Sequence, residues 1–170
     1  KDIDPERIGL AGASQAGWII PLAASRSASV KWMVILSGPA VSVGEEIKYS
    51  ELAGEDPGSR KGLSDAEIEA EMKKWTGARG YDPMSTLEKL TAPSFWLQGE
   101  KDRSIPQPKT LATLERIRQQ GRPITVFAIP NADHGLRDVT TRQPFHYWPP
   151  TYRWLRERSV IAKLPSASNP

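Results

Sequence analysis

The 170-residue chain contains no cysteine and only two histidines. The first absence excludes disulfides, thiol nucleophiles and cysteine metal sites, and it leaves the redox compartment unreadable. The second confines any imidazole chemistry to His134 or His146. No stretch approaches the ~20 consecutive apolar residues of a membrane span, and the opening KDIDP lacks the charged-then-apolar layout of a signal peptide. Nor is there a Lys/Arg tract. The 23 basic residues are scattered among 20 acidic ones, for a formal charge of +3, and no RNA-recognition or zinc-finger pattern accompanies them. Nucleic acid and membrane are therefore set aside as partners. Position 1 is Lys rather than Met, so the expectation is a fragment or a processed chain. It is expected to be soluble, either cytoplasmic or exported with its signal removed.

With 38% hydrophobic and 25% charged residues, the chain suffices for one domain with its own core. Apolar runs suited to buried strands occur at 8–12, 32–36, 95–97 and 124–129, each bounded by Gly, Pro or Asn. Helical patterns fall between them. One spans 15–24, with Pro21 expected to kink it or to interrupt one backbone bond. A second opens on the capping box Ser64-Asp65-Ala66-Glu67 and carries Ile68, Met72 and Trp75. A third places Leu111, Leu114 and Ile117 on one face and stops at Gly121, and a last one follows Pro149-Pro150. Strands alternating with helices predict an α/β fold: a small, mostly parallel sheet of about four strands with helices on both faces. The expected division is a catalytic unit over 1–164, with a lid-like insertion at about 44–84, and a disordered tail at 165–170.

Gly12 and Gly17 have the glycine spacing of a phosphate-binding loop, but Trp18-Ile19 follow where that loop needs Lys and Ser/Thr. The stretch does not give G-x-G-x-x-G either. What fits GASQA at 12–16 is a nucleophile elbow, a turn so sharp that the middle side chain, Ser14, projects while small flanking residues let strand and helix nearly touch. The competing reading is an ordinary strand-to-helix turn with Ser14 as N-cap.

A serine hydroxyl needs a base, and the base needs an orienting group. His134 follows the fourth strand directly, at the sheet edge where open α/β sheets do chemistry. His146, among aromatics and prolines, reads as a packing or surface residue. For the acid, FWLQGEKDRSIP offers Glu100 and Asp102; Asp102 is favoured because it lies further into the loop, its alternative role being a turn residue.

The stretches DPERIGLAGASQAGW, DPMSTLEKLTAPSFWLQGEKDRSIP and IPNADHG together resemble the C-terminal part of an α/β-hydrolase. The likeness is to bacterial esterases and to dienelactone-hydrolase or prolyl-oligopeptidase-like members. It implies Ser14 as nucleophile, His134 as general base, Asp102 as its orienting carboxylate and the Gln15 amide as one oxyanion-hole donor. Ala16 stands where the family usually has glycine. The strands that normally precede the elbow strand, and the second oxyanion donor, are missing. The implied reaction is hydrolysis of a small-molecule carboxylic ester through an acyl-enzyme, with no cofactor and no metal. A peptidase or thioesterase using the same triad, or a non-catalytic remnant, are the alternatives. Trp18, Pro39 and Val41 are candidate acyl-site residues, each equally readable as core. An exposed elbow strand further predicts a homodimer paired along 8–12, or association with a missing N-terminal half.

Overall fold

The strands form where branched and aromatic residues are dense enough to be covered on both faces. β1 (Gly9–Ala13), β2 (Trp32–Leu36), β3 (Ser94–Gly99) and β4 (Ile124–Ile129) pair in that order as one parallel, four-stranded sheet. The computed structural model describes residues 3–54 and 62–158; the tail expected at 165–170 lies outside them. Alternation along the strands divides the core in two. Met33, Ile35 and Trp96 join Ile20 of α1 (Ala16–Arg26), Leu87 of α4 (Met84–Leu87) and Leu114 of α5 (Gln107–Gln119). Val34, Phe95 and Leu97 instead meet Trp154 and Leu155 of α6 (Trp148–Glu157). Both faces of the sheet are therefore covered by helices, as the alternation predicts.

All four expected strands are present, with β1 shifted by one residue and β3 extended at both ends. The helix α1 runs through Pro21, whose missing N–H leaves one intrahelical bond unformed. Pro149 and Pro150 do not precede α6 but lie in its first turn, where backbone N–H groups have no intrahelical acceptor to lose. Gly121 takes φ +84° just past α5, as the stop signal requires.

The interval at about 44–84 contains two full helices, α2 (Val43–Ala53) and α3 (Asp65–Lys74). Each opens on a capping box. Glu45 Oε2 accepts from the Ser42 backbone N–H (3.3 Å) and hydroxyl (2.7 Å), and Glu67 Oε2 from the same groups of Ser64 (2.9 and 2.6 Å). The two ends of this excursion meet again. The Val43 N–H donates to the Tyr81 carbonyl (2.9 Å) and the Gly44 N–H to that of Arg79 (2.7 Å). A Cβ on Gly44 would stand 2.0 Å from the Ala78 carbonyl oxygen, so only glycine admits this strap.

Candidate active site

Parallel strands end at one side of the sheet, and their exits place Ser14, Ser37, Asp102 and His134 there. Ser14 follows β1 with φ +53°, a left-handed conformation that is strained for a residue with a Cβ. Its N–H donates to the Leu36 carbonyl (2.9 Å), and its carbonyl accepts from Gly17 (2.9 Å), so the chain reverses into α1 within two residues. The small neighbours are sterically required. A Cβ on Gly12 would lie 2.9 Å from the Ala16 methyl, and one on Gly17 2.5 Å from the Pro39 carbonyl oxygen. Ala16 is thus accommodated because Gly12 faces it. Gln15 is exposed, and among the described residues its N–H has no hydrogen-bond acceptor.

Of the two acids offered after β3, Asp102 is the one that meets a histidine. Its Oδ2 lies 2.8 Å from His134 Nδ1, while Oδ1 accepts from the N–H groups of Ser104 (2.9 Å) and Ile105 (3.3 Å). The carboxylate is fully buried. Each oxygen has its own partner, so the group cannot rotate without losing one. The acceptor role of Asp102 places the proton on Nδ1 and leaves Nε2 free as a base. The hydrogen bond that His134 donates to Asp102 raises the His134 pKa above its ordinary 6.5, against the opposing effect of burial. Glu100 is exposed and makes no bond to His134, and His146 is exposed.

Two residues that bring the imidazole to this place were not anticipated. A Cβ on Gly99 would stand 2.5 Å from the carbonyl oxygens of both Ala132 and Asp133, so glycine at the end of β3 lets the histidine loop close against it. The Lys101 N–H then donates to the Ala132 carbonyl (2.8 Å). Ser37, 1% exposed and at φ +49°, donates its hydroxyl to the His134 carbonyl (2.7 Å). Ala13 and Leu36 are register partners, so Ser14 and Ser37 leave adjacent strands at the same level. The sequence signal was present in LSGPA, a strand ending in small residues as β1 does.

Trp18, Pro39 and Val41 are brought together, but as buried packing behind the elbow. The Trp18 indole donates to the Val41 carbonyl (2.8 Å), and all three are buried. A cavity of about 870 Å³ lies elsewhere, between α2, α3 and the start of α5, with Asp102 on its wall. Among the described residues no group of three His, Asp or Glu side chains could hold a metal ion, and no helix is long and apolar enough to cross a membrane.

A sequence profile of the prolyl oligopeptidase family matches residues 1–159. Among solved structures, the chain is similar to the acylaminoacyl peptidase of Pyrococcus horikoshii. Identity is 15% and the TM-score 0.63, over 98% of this chain and 26% of that one. It is also similar to Thermogutta terrifontis esterase 2 phosphonylated by cyclosarin, at 13% identity and a TM-score of 0.60 over 95% and 58% of the two chains. A third is a puromycin-hydrolyzing peptidase of Mycobacterium tuberculosis, at 16% and 0.53 over 78% and 19%. The architecture is that of an α/β-hydrolase. The chain spans about a quarter of the length of the acylaminoacyl peptidase and somewhat over half that of the esterase. No curated protein sequence matches it.

Proposed function

The chain belongs to the prolyl oligopeptidase family, and from that premise we propose that it is a serine hydrolase cleaving carboxylic esters through an acyl-enzyme on Ser14. The observation that carries this reading is the 2.8 Å contact between a fully buried Asp102 and His134, on the same sheet edge as a serine held at φ +53°.

In this scheme Ser14 Oγ attacks the ester carbonyl carbon as His134 Nε2 takes its proton. Asp102 stabilises the imidazolium that results, and the free Gln15 N–H faces the oxyanion. Collapse of the tetrahedral intermediate breaks the bond to the alcohol oxygen, which receives the proton from His134. Water then attacks the acyl-serine with His134 again as base, releasing the acid and restoring Ser14. Esters are favoured over amides because an alkoxide leaves more readily than an amine. Family membership and the peptidases among similar structures support a second reading, cleavage of peptides by the same residues.

The test is hydrolysis of p-nitrophenyl butyrate, with Ser14→Ala expected to lower the rate by about 10⁶ while leaving the fold intact. An organophosphate should label Ser14 and no other serine. Labelling elsewhere, or full activity in Ser14→Ala, removes the assignment. Cleavage of a blocked peptide anilide faster than the ester selects the peptidase reading, and inertness toward both leaves a non-catalytic module.

A further inference from the structure

The cavity of about 870 Å³ is more than a gap between helices. On one wall Glu45, 5% exposed, takes two cations: Arg79, 3.1 Å away on the strap, and Lys109 from the first turn of α5. Burial alone would raise the Glu45 pKa. The hydrogen bonds from Lys109 and Ser42 outweigh it and hold the carboxyl below its usual range, so Glu45 stays charged. One carboxylate shared by two cations leaves one positive charge uncompensated within the trio. Elsewhere on the wall Lys73 is matched by Glu69 and Arg103 by Asp65, Lys101 and Glu100 are chain neighbours, and the remaining acid, Asp102, is fully buried and bonded to His134, so the unmatched charge is local to Arg79 and Lys109.

Three further features have the same sense. The side chains of Arg79 and Lys109 are 60% and 57% exposed, so each keeps donors free beyond those spent on Glu45. The positive end of α5, a 13-residue helix whose N-cap Pro106 supplies no side-chain cap, comes to the same wall. Gln107, 4% exposed on that wall, has a buried Nε2 donor with no acceptor among the described residues. The rest of the lining includes apolar surface from Ile68, Met72 and Trp75, and Pro106 and Pro108 flank the cations' side at the start of α5.

We infer that this cavity is a binding subsite for a carboxylate carried on an apolar, ring-sized body, the carboxylate bridging Arg79 and Lys109 while the body lies against Met72 and Trp75. Arg79 is fixed for this role by the strap, since the Gly44 N–H holds the Arg79 carbonyl at 2.7 Å. Of the proposed triad only Asp102 lines the cavity, with its side chain buried, so the cavity lies on the acid's side of the reaction centre and not at Ser14 or His134. A carboxylate held there would be the far portion of a substrate, remote from the reacting atoms, in an ester bearing a free carboxylate; this last step rests on the hydrolase reading, whereas binding does not.

The experiment uses the Ser14→Ala chain and two probes that differ only at one end, 4-phenylbutyrate and 4-phenylbutanol, titrated calorimetrically. The carboxylate should bind at least about tenfold tighter than the alcohol, the scale of one charge-assisted hydrogen bond. Arg79→Gln with Lys109→Gln should abolish that difference, and Lys109→Arg should retain it. Raising the salt from low to high on the chain with both cations intact should also shrink the preference, a check that no variant's folding can obscure. Equal affinities for the two probes, or a preference indifferent to both cations and salt, overturns the site. With Ser14 restored, 4-phenylbutyrate should inhibit p-nitrophenyl butyrate hydrolysis competitively. Non-competitive inhibition overturns the substrate assignment, whereas binding in a chain that hydrolyses no ester retains the site and defeats the hydrolase reading.

Discussion

β3 and β1 each deliver one side chain to the sheet edge, and they do so from opposite circumstances. All six residues of β3 are buried, and it is paired on both sides. None of the five residues of β1 is fully buried, and among the described residues it pairs only with β2. Asp102 therefore sits where its surroundings determine every bond, and Ser14 follows a strand with one partner among the described residues. In the proposed function a rigid centre suits a carboxylate that holds an imidazole at one angle. The proposed nucleophile stands at a turn that depends on a few glycine contacts and on whatever flanks β1.

The largest effect should come from the β3 side. Asp102→Asn keeps the shape but can no longer hold His134 in the tautomer with Nε2 free, and ester hydrolysis should fall about 10⁴-fold with the melting curve largely preserved. A loss below tenfold would show that burial of the acid is structural only. Next, Gly99→Ala sets a methyl 2.5 Å from two carbonyl oxygens, whereas Gly12→Ala meets a methyl at 2.9 Å and the end of Ile20 at 3.3 Å. Displacing the histidine loop by about 1 Å should cost about 10² in rate, and the softer contacts at Gly12 considerably less. The reverse order would place the sensitive geometry on β1. Ser37→Ala removes the hydroxyl that ties the end of β2 to the histidine loop, and the fall in rate should be about tenfold. Its destabilisation should be about 1 kcal/mol, the worth of one hydrogen bond.

A pH titration sharpens the same comparison. The pKa of His134 is raised by Asp102, so the rate should climb with a midpoint above 6.5 as the base becomes neutral. Stability has the opposite sign: the charged pair's contribution is complete below about 6.5 and is lost as pH rises through the elevated value. A rate flat between about pH 5 and 9 would exclude a histidine base. The smallest effect on catalysis concerns the margin itself. We propose that β1 pairs with a second copy about a two-fold axis, covering its unpaired backbone groups. Light scattering should then show a dimer that Leu10→Pro disrupts, and a clean monomer at micromolar concentration rejects the pairing.

The helix α2 shows why part of the fold escaped sequence reading. Its buried positions are Glu45, Ser50 and Ala53, while Ile47 is 55% exposed, so the apolar periodicity that reveals a helix is inverted there. The Ser42–Glu45 capping box was the available sign. The strands were legible because both faces of the sheet are covered, which forces apolar runs bounded by Gly, Pro or Asn.

At the site, local order made Ser14, Asp102 and His134 readable as residues leaving three strands of one parallel sheet. The choice of Asp102 over Glu100 follows from which carboxylate reaches the Ser104 and Ile105 amides and the imidazole. The alternation of strands and helices, and the side of the sheet where polar residues emerge, are written in the chain, because period, turn chemistry and chain direction are local properties. That Gly99 admits the histidine loop, that Ser37 holds it, and that Arg79 and Lys109 converge on Glu45 emerges only on folding. Those outcomes depend on close approaches between segments 30 to 100 residues apart, and no local pattern of side chains encodes a distance across the fold.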